Sequence, residues 1–323
     1  MGTSPRATPS TAPEHTAGLW DRRWRGAPNR LEVWYATFTD RASGSGLWLH
    51  GELVAPADGS APTRLGWAAL FPAEGEPVWA RTGTIEGDPS GDPATFECPG
   101  LTIGPGGSAG EAGPLSWQLD WDSSGQRGMA TFGRPAWERE LLPGAQVVPA
   151  PDLSVDGWVD NAGTRLDLEG AHGAVARIYG HGNAQRWAWL HAELGGGDLL
   201  ELVTAVSTRP VLERLPPVTF IRFRLDGVDW PGAPVPALGL RSRISLPRWT
   251  VGGRIGRARV HIEVDQPEER NVAIDYHDPD GRTATCTNTE RADLRVVVDR
   301  GPGGRSRRWE LRGTAHAEVG TRP

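Results

Sequence analysis

The sequence predicts an almost entirely antiparallel all-β protein of two similar-sized halves. Its 43 Gly and 28 Pro among 323 residues indicate many short elements joined by tight turns. A chain of this length exceeds what one hydrophobic core usually supports, which favours two domains. Strand-like segments recur without crossover helices between them, which excludes a parallel sheet and favours sandwiches or barrels.

The composition narrows the classes of function. The net charge is −6 at pH 7, and no basic run adjoins an apolar stretch, which argues against nucleic-acid and membrane partners. The chain contains no Lys, so Schiff-base and phosphate-lysine chemistry are excluded. Cys98 and Cys286 are far apart and lack the spacing of a zinc site. No phosphate loop or nucleophile elbow is present.

The N-terminal segment gives an expectation about location. Residues 1–18 are rich in Ser, Thr, Pro and Ala and have no apolar core, so they predict a disordered tail rather than a signal peptide. No apolar run approaches the length of a membrane span. We therefore expect a soluble, cytoplasmic protein, and the sequence leaves its oligomeric state open.

The first predicted hairpin spans residues 31–54 and contains a turn rich in Gly and Ser. Neither face of its first strand is fully polar, because Glu32 and Trp34 share a face, and this mixture favours a barrel wall that lines a cavity. His50 and Glu52 share a face of the second strand. If these faces point inward, they bury ionisable groups with perturbed pKa values; if outward, they form an ordinary salt-bridge ladder.

The rest of the first half predicts short strands and one helix. Loops dense in Pro and Gly, such as residues 104–113, separate the strands. A short helix is predicted over residues 134–142, opened by Pro135 and stopped by Pro143. The strand candidates are Leu65 to Phe71, Pro77 to Ile85, Leu115 to Trp121 and Gly128 to Phe132.

A Pro-rich segment at residues 147–151 predicts the domain junction. We therefore expect an N-terminal domain over residues 19–152 and a C-terminal domain over residues 153–323. Six further strand candidates precede the C-terminal meander: Leu166 to Leu168, Ala174 to Tyr179, Trp187 to Leu194, Leu199 to Ser207, Val218 to Leu225 and Arg257 to Asp265.

The C-terminal meander is the most legible part of the sequence. Residues 271–277 pass through a predicted type I turn at Asp278 to Gly281 into a strand over residues 282–289, and strands at residues 294–299 and 309–319 follow. Acidic residues and His261 alternate with valine and isoleucine over residues 260–265. Paired acid/base work is one interpretation of this strand, and solvated alternation is the simpler one.

The densest cluster of polar and aromatic residues follows residue 180. His181 and Asn183 lie in a Gly-containing turn, as functional groups at barrel mouths often do. Period two then places Trp187, Trp189 and His191 on one strand face. That face could look into an enclosed apolar cavity, stack an unsaturated chain or ring and present a proton donor. The alternative is that the two Trp side chains pack an ordinary core.

These motifs resemble the superfamily of hydroxyneurosporene synthase (carotenoid hydratase) and tocopherol cyclase. The resemblance is carried by the opening strand Glu32 to Tyr35 and by the turn with His181 and Asn183 before Trp187 and Trp189. It implies two tandem antiparallel lipocalin-like β-barrel domains, or strongly curved sandwiches. It also implies an enzyme without cofactor or metal that adds water or a tethered hydroxyl across an isoprenoid double bond, or cyclises polyunsaturated chains.

The leading hypothesis is therefore a cofactor-independent hydratase or cyclase for an isoprenoid or polyene molecule. His181 or a nearby carboxylate would act as the acid, and Asn183 would orient it or a water molecule. A lipocalin-like carrier for a hydrophobic metabolite is the main alternative, and a carbohydrate-binding sandwich is the third. The residues expected to contact substrate are Glu32, Trp34, His50, Arg186, Trp187, Trp189 and His191.

Overall fold

A computed structural model describes residues 18–140, 142–209, 211–232, 239–300 and 306–323. Residues 1–17 of the tail predicted at residues 1–18 lie outside the described residues. The structure is nearly all β and consists of two antiparallel sheets, which confirms the predicted fold class. Within the described residues neither sheet closes on itself.

The first sheet has eleven strands. Its order is β4-β3-β2-β1-β11-β10-β9-β8-β7-β6, with β5 paired to β3. The strands are β1 (Arg30–Asp40), β2 (Ser45–Ala55), β3 (Thr63–Phe71), β4 (Val78–Arg81), β5 (Ile85–Glu86), β6 (Phe96–Cys98), β7 (Leu101–Gly104), β8 (Gly107–Ala112), β9 (Leu115–Trp121), β10 (Gly144–Asn161) and β11 (Thr164–Gly180).

The second sheet has ten strands in the order β15-β14-β13-β12-β21-β20-β18-β17-β16, with β19 paired to β20. The strands are β12 (Arg186–Gly195), β13 (Asp198–Val206), β14 (Val218–Leu225), β15 (Val228–Trp230), β16 (Leu240–Arg243), β17 (Arg248–Ile255), β18 (Ala258–Asp265), β19 (Val272–His277), β20 (Thr283–Asp299) and β21 (Arg307–Thr321).

The chain changes sheet once, between Gly180 and Arg186. The predicted junction at residues 152 and 153 falls inside β10, which is paired on both sides within the first sheet. Proline is tolerated there because β10 carries register shifts at residues 147–153, where ladder hydrogen bonds are interrupted. We propose that the boundary between the two domains lies at residues 181–185.

Some of the predicted helices, loops and turns are present in the structure and others are not. The short helix is confirmed as α1 (Arg134–Arg139), with Pro in its first turn. The loop prediction for residues 104–113 was wrong, because β8 lies there, and residues 128–132 form only an isolated bridge at Met129. The turn before β20 is confirmed by a 2.9 Å hydrogen bond from the Gly281 N–H to the Asp278 carbonyl.

Each sheet surrounds a core of its own and also packs against the other sheet. In β1 the even-numbered side chains enter the first core, whereas Val33 and Tyr35 join a cluster with Trp189 and Leu199 of the second sheet. Both faces of β1 are therefore buried, which explains why its sequence shows no fully polar face. We call the side chains between the two sheets the inter-sheet layer.

Candidate active site between the sheets

The inter-sheet layer contains polar groups that ordinary cores exclude. Alternation in β12 places Trp187, Trp189 and His191 in this layer and the intervening residues in the second core, so the predicted shared face is confirmed. The face meets the side chains of the first sheet: the Trp189 ring packs edge-on against Tyr35, with centroids 5.2 Å apart. The layer is thus packed in this structure rather than open.

One end of the layer is organised around Glu201 of β13, which is fully buried. Its Oε2 lies 2.9 Å from His191 Nδ1, and its Oε1 accepts hydrogen bonds from Trp189 Nε1 at 2.6 Å and from Gln146 Nε2. Gln146 Nε2 also donates to the Tyr35 hydroxyl at 3.1 Å. Both carboxyl oxygens are therefore satisfied, and the His191 ring is held in one orientation.

A second buried carboxyl, Glu290 of β20, lies close by. Thr37 of the first sheet donates to its Oε2, and His316 Nδ1 lies 3.8 Å from the same oxygen. On its other side His316 Nε2 is 2.8 Å from the Thr39 hydroxyl, and its ring stacks on His191 with centroids 5.8 Å apart. The two imidazoles and two carboxyls form what we call the acid–imidazole cluster: His191, Glu201, Glu290 and His316.

Burial shifts the pKa values of Glu290 and His316 toward their neutral forms. Desolvation, reinforced by the nearby Glu318 carboxyl, raises the pKa of Glu290 well above its usual value. Desolvation, together with the proximity of His191, lowers the pKa of His316 well below its usual value. Both shifts favour the uncharged forms of Glu290 and His316, and a carboxylic acid beside a neutral imidazole is a pairing suited to donating and accepting protons.

Glu318 of β21 connects this cluster to the indole of Trp187. Trp187 Nε1 donates to Glu318 Oε1 at 2.6 Å, and Cys286 Sγ lies 3.4 Å from Oε2. Glu318 keeps partial solvent exposure, and burial raises the pKa of its side chain. It lies next to the buried acid and also reaches solvent.

The other end of the layer is aromatic. The His50 ring stacks on Trp67 with centroids 3.8 Å apart, and Trp48 and Tyr276 lie against the same pair. His50 Nε2 lies 3.4 Å from Glu52 Oε2, and burial lowers the pKa of His50. Among the described residues, Glu52 Oε1 and Trp67 Nε1 are buried without a hydrogen bond. We call His50, Glu52, Trp48, Trp67 and Tyr276 the aromatic cluster.

Two residues expected to contact substrate lie outside the layer. Glu32 accepts hydrogen bonds from the backbone N–H groups of Arg23 and Trp24 and from the guanidinium of Arg177, all of which precede the crossing to the second sheet. The Trp34 ring packs in the first core, with the Arg177 guanidinium 4.5 Å from its centroid. Even-numbered positions of β1 face this core, so both side chains lie on its side of the sheet and not in the inter-sheet layer.

The predicted catalytic residues lie in the crossing between the sheets. His181 is exposed, with its Nδ1 3.1 Å from Arg30 Nη1. The backbone N–H and side-chain amide of Asn183 donate to the buried Asp278 Oδ1 at 2.8 and 2.9 Å, where Gly182 at φ +128° permits the close approach. Arg186 is exposed at the start of β12. The structure does not bring these three residues into the acid–imidazole cluster.

Sequence reasoning missed three carboxyls of the layer, Glu201, Glu290 and Glu318, and left open whether Glu52 points inward. The available signal was a lone Glu between apolar residues on both sides, as in residues 199–203. Glu290 was hidden because the predicted strand stopped at residue 289, whereas β20 continues through register shifts to Asp299.

Two pockets adjoin these elements. An open groove of about 480 Å³ is lined in part by Arg81, whose guanidinium also lies 5.5 Å from the Trp67 ring, so the groove borders the aromatic cluster. A cavity of about 10 Å³ lies among first-sheet residues such as Phe38 and Leu168. In the described residues, no three or more His, Cys, Asp or Glu side chains are arranged so that they could hold a metal ion. None of the helices in the described ranges is long and apolar enough to span a bilayer.

The fold and the buried layer define an all-β protein of two tandem lipocalin-like halves joined face to face. Solved structures share this architecture: CghA has a TM-score of 0.60 at 10% identity, covering 94% of each chain. Kievitone hydratase from Nectria haematococca has a TM-score of 0.56 at 10% identity, covering 97% of this chain and 95% of its own.

The family follows from a closer match. A family model described as tocopherol cyclase-like matches residues 114–321, so the chain belongs to the tocopherol cyclase-like family, and the predicted resemblance is confirmed. The chain is also 48% identical over 300 residues to the uncharacterized protein Rv0493c of Mycobacterium tuberculosis strain H37Rv, covering 93% of this chain and 89% of that protein.

Proposed function

We propose that this protein is a cofactor-independent hydratase or cyclase acting on a hydrophobic, unsaturated small molecule, and that its chemistry takes place in the inter-sheet layer. The observation that carries the proposal is Glu290, a fully buried carboxylic acid beside the neutral His316 imidazole. Protonation of a carbon–carbon double bond requires a protonated acid in an apolar site. The family and the hydratase among the fold neighbours support the same class of reaction.

The proposed reaction balances without a redox partner. The O–H bond of Glu290 breaks as a C–H bond forms on the alkene, which leaves a carboxylate and a carbocation. Water, or a hydroxyl of the substrate, then adds to the cation, and its proton passes to His316 or back to Glu290. The indoles of Trp187 and Trp189 would face the developing positive charge.

Substrate entry requires side chains of the packed layer to separate. We place entry at Arg81, because its guanidinium lies over Trp67 and Nη2 donates to the Asp275 carbonyl of the second sheet at 2.6 Å. The groove beside it provides the approach. An isoprenoid or polyene chain suits this aromatic end of the layer.

The experiment is a product screen in ¹⁸O-labelled water. Neutral polyenes, prenylated quinols and terpenoid alkenes are incubated with the full chain and analysed by mass spectrometry for labelled hydration products and for isomeric cyclised products. Glu290→Gln should lower turnover roughly a hundredfold or more, whereas the exposed Glu310→Gln should retain it. A carrier would instead return its ligand unchanged with either variant, and that result would overturn the proposed chemistry.

A further inference from the structure

Several polar atoms beside the proposed acid have no hydrogen-bond partner. Among the described residues, Glu290 Oε1 and His316 Nδ1 are buried and make no hydrogen bond. The same holds for both polar atoms of the Asn288 side chain, Oδ1 and Nδ2, and Asn288 is fully buried. Leaving a buried polar atom without a partner is costly, so several such atoms together indicate a site for a polar guest.

These atoms come from neighbouring positions on two paired strands. Asn288 and Glu290 are two positions apart on β20, and Asn288 is paired directly with Glu318 of β21. His316 precedes Glu318 by two positions, and its Nδ1 is 3.8 Å from Glu290 Oε2. The first sheet covers the group, because Thr37 donates a hydrogen bond to Glu290. The unpartnered atoms therefore share one place in the inter-sheet layer.

The protein's own side chains do not satisfy the Asn288 amide. Burial raises the pKa values of Glu290 and Glu318, and the amide lies close enough to both carboxyls to oppose part of that rise. Neither approach has the geometry of a hydrogen bond. By contrast, both oxygens of the neighbouring Glu201 have partners. The amide thus lies between two acids with its donor and its acceptor still free to bind a guest.

A water molecule matches this set of groups. Buried waters typically make about three hydrogen bonds to polar groups that otherwise lack partners. Asn288 Nδ2 can donate to the water oxygen, His316 Nδ1 can accept a water proton, and Glu290 Oε1 can supply the third bond. His316 Nδ1 is an acceptor when Nε2 carries the ring proton and donates it to the Thr39 hydroxyl, 2.8 Å away.

We propose that Asn288, Glu290 and His316 hold a buried water molecule, and that this water is the one added to the substrate. The inference rests on the proposed function and narrows it from hydratase or cyclase to hydratase. After Glu290 has protonated the alkene, the water oxygen forms a C–O bond to the carbocation and one water O–H bond breaks. That proton moves to His316 Nδ1 and returns to the Glu290 carboxylate, whose Oε2 is 3.8 Å away, so both groups are restored.

A crystal structure of the full chain without substrate tests the water site independently of turnover. An ordered water is expected within about 3.2 Å of both Asn288 Nδ2 and His316 Nδ1. Asn288→Leu keeps the branched shape of the side chain but has no polar atom, so this water should be lost. A wild-type structure in which the Asn288 amide bonds only to protein groups would overturn the inference.

The ratio of products tests whether this water reacts. For a neutral alkene turned over in ¹⁸O-labelled water, Asn288→Leu should lower the ratio of labelled alcohol to unlabelled isomer about tenfold, the effect of losing about one hydrogen bond. Asn288→Ser retains a hydroxyl that can bind water and should give an intermediate ratio. Asn161→Leu makes the same replacement at the end of β10, where Asn161 pairs with Leu115 of the first sheet, and should leave the ratio unchanged.

Equal product ratios in the wild type and in Asn288→Leu would contradict the proposal, as would an equal fall in Asn161→Leu. Circular dichroism checks that each variant is folded. If Asn288→Leu does not fold, the wild-type structure and Asn288→Ser still decide the question.

The two measurements distinguish this inference from the proposed function. An ordered water at Asn288 without turnover of any alkene would sustain the water site and reject the chemistry. Glu290-dependent cyclisation that incorporates no ¹⁸O would sustain the proposed function and reject the inference.

Discussion

His191 and Glu201 lie directly opposite each other on β12 and β13, and His191 Nδ1 is 2.9 Å from Glu201 Oε2. This pair fixes the imidazole orientation, and Trp189 and Gln146 hold the carboxyl in turn. A carboxyl that orients a histidine acts through it rather than on substrate. Glu201 is therefore a positioning residue: it orients His191, whose ring stacks on His316, the proton acceptor of the proposed mechanism.

Glu201→Gln tests this positioning role. The amide can no longer accept hydrogen bonds at both positions, so His191 should lose its fixed tautomer and turnover should fall about 10-fold to 100-fold. The expected loss is in kcat rather than KM, with a changed pH profile. A variant with unchanged kcat and unchanged pH profile would show that the pair is only structural, and Glu310→Gln serves as the control.

The raised pKa of Glu290 predicts how stability depends on pH. The unfolded chain releases this proton near the usual value of 4.5, whereas the folded protein retains it, so the free energy of unfolding should fall as pH rises above 4.5 toward the raised pKa. Glu290→Gln cannot ionise and should flatten this decline. Urea unfolding at a series of pH values measures the free energy of unfolding of both proteins. The same dependence on pH in the wild type and in Glu290→Gln would contradict the prediction.

The Arg177–Glu32 pair predicts a large structural effect. Both side chains are fully buried, desolvation lowers the pKa of Arg177 to about 10, and Arg177 Nη1 also donates to the Leu19 and Asp21 carbonyls. Arg177→Met leaves the Glu32 carboxyl without its cation and should cost about 3–5 kcal/mol in the free energy of unfolding. Adding Glu32→Gln should recover part of the loss, because it removes the unpaired buried carboxylate. Denaturant unfolding measures the free energy of unfolding of both variants, and a double variant no more stable than Arg177→Met would contradict the prediction.

Gly46 tests the contact between the sheets at the proposed acid. A Cβ added at Gly46 would overlap the Glu290 Cβ, so Gly46→Ala should push β2 and β20 apart and cost about 1–3 kcal/mol. Gly106→Ala, where no heavy atom lies within 4 Å of the added Cβ, is the matched control. Similar thermal unfolding of both variants would show that this contact is loose.

Substitution of the two residues in the crossing tests the assignment made from sequence. His181 is exposed, so His181→Ala should leave stability unchanged, and a selective loss of turnover would support its predicted catalytic role. Asn183→Ala removes the side-chain hydrogen bond to the buried Asp278, while the backbone N–H still donates to the same oxygen, and should cost about 0.5–1.5 kcal/mol. If turnover by His181→Ala and Asn183→Ala falls only in proportion to the fraction of folded protein, the inter-sheet layer is favoured as the active site.

Alternation along single strands allowed the sequence to predict the shared face of Trp187, Trp189 and His191, and the placement of Pro and Gly allowed it to predict the all-β class, helix α1 and the turn at Asp278 to Gly281. These features are local, because hydrogen bonding and side-chain direction within a strand or turn depend on neighbours a few residues away. Alternation also gave the simpler interpretation of residues 260–265, a strand with one solvated face, and in the structure buried Val and Ile alternate there with more exposed polar and charged residues.

Tertiary structure alone decided what each face meets. A period of two cannot say whether a face covers its own core, as Trp34 does, or packs against another sheet, as Tyr35 does. Thr37 and Glu290 are 253 positions apart, and only the packing of β1 on β20 makes one the hydrogen-bond partner of the other. The acid–imidazole cluster arises because two sheets bury polar groups between them, and desolvation at that contact raises the pKa of Glu290 and lowers that of His316.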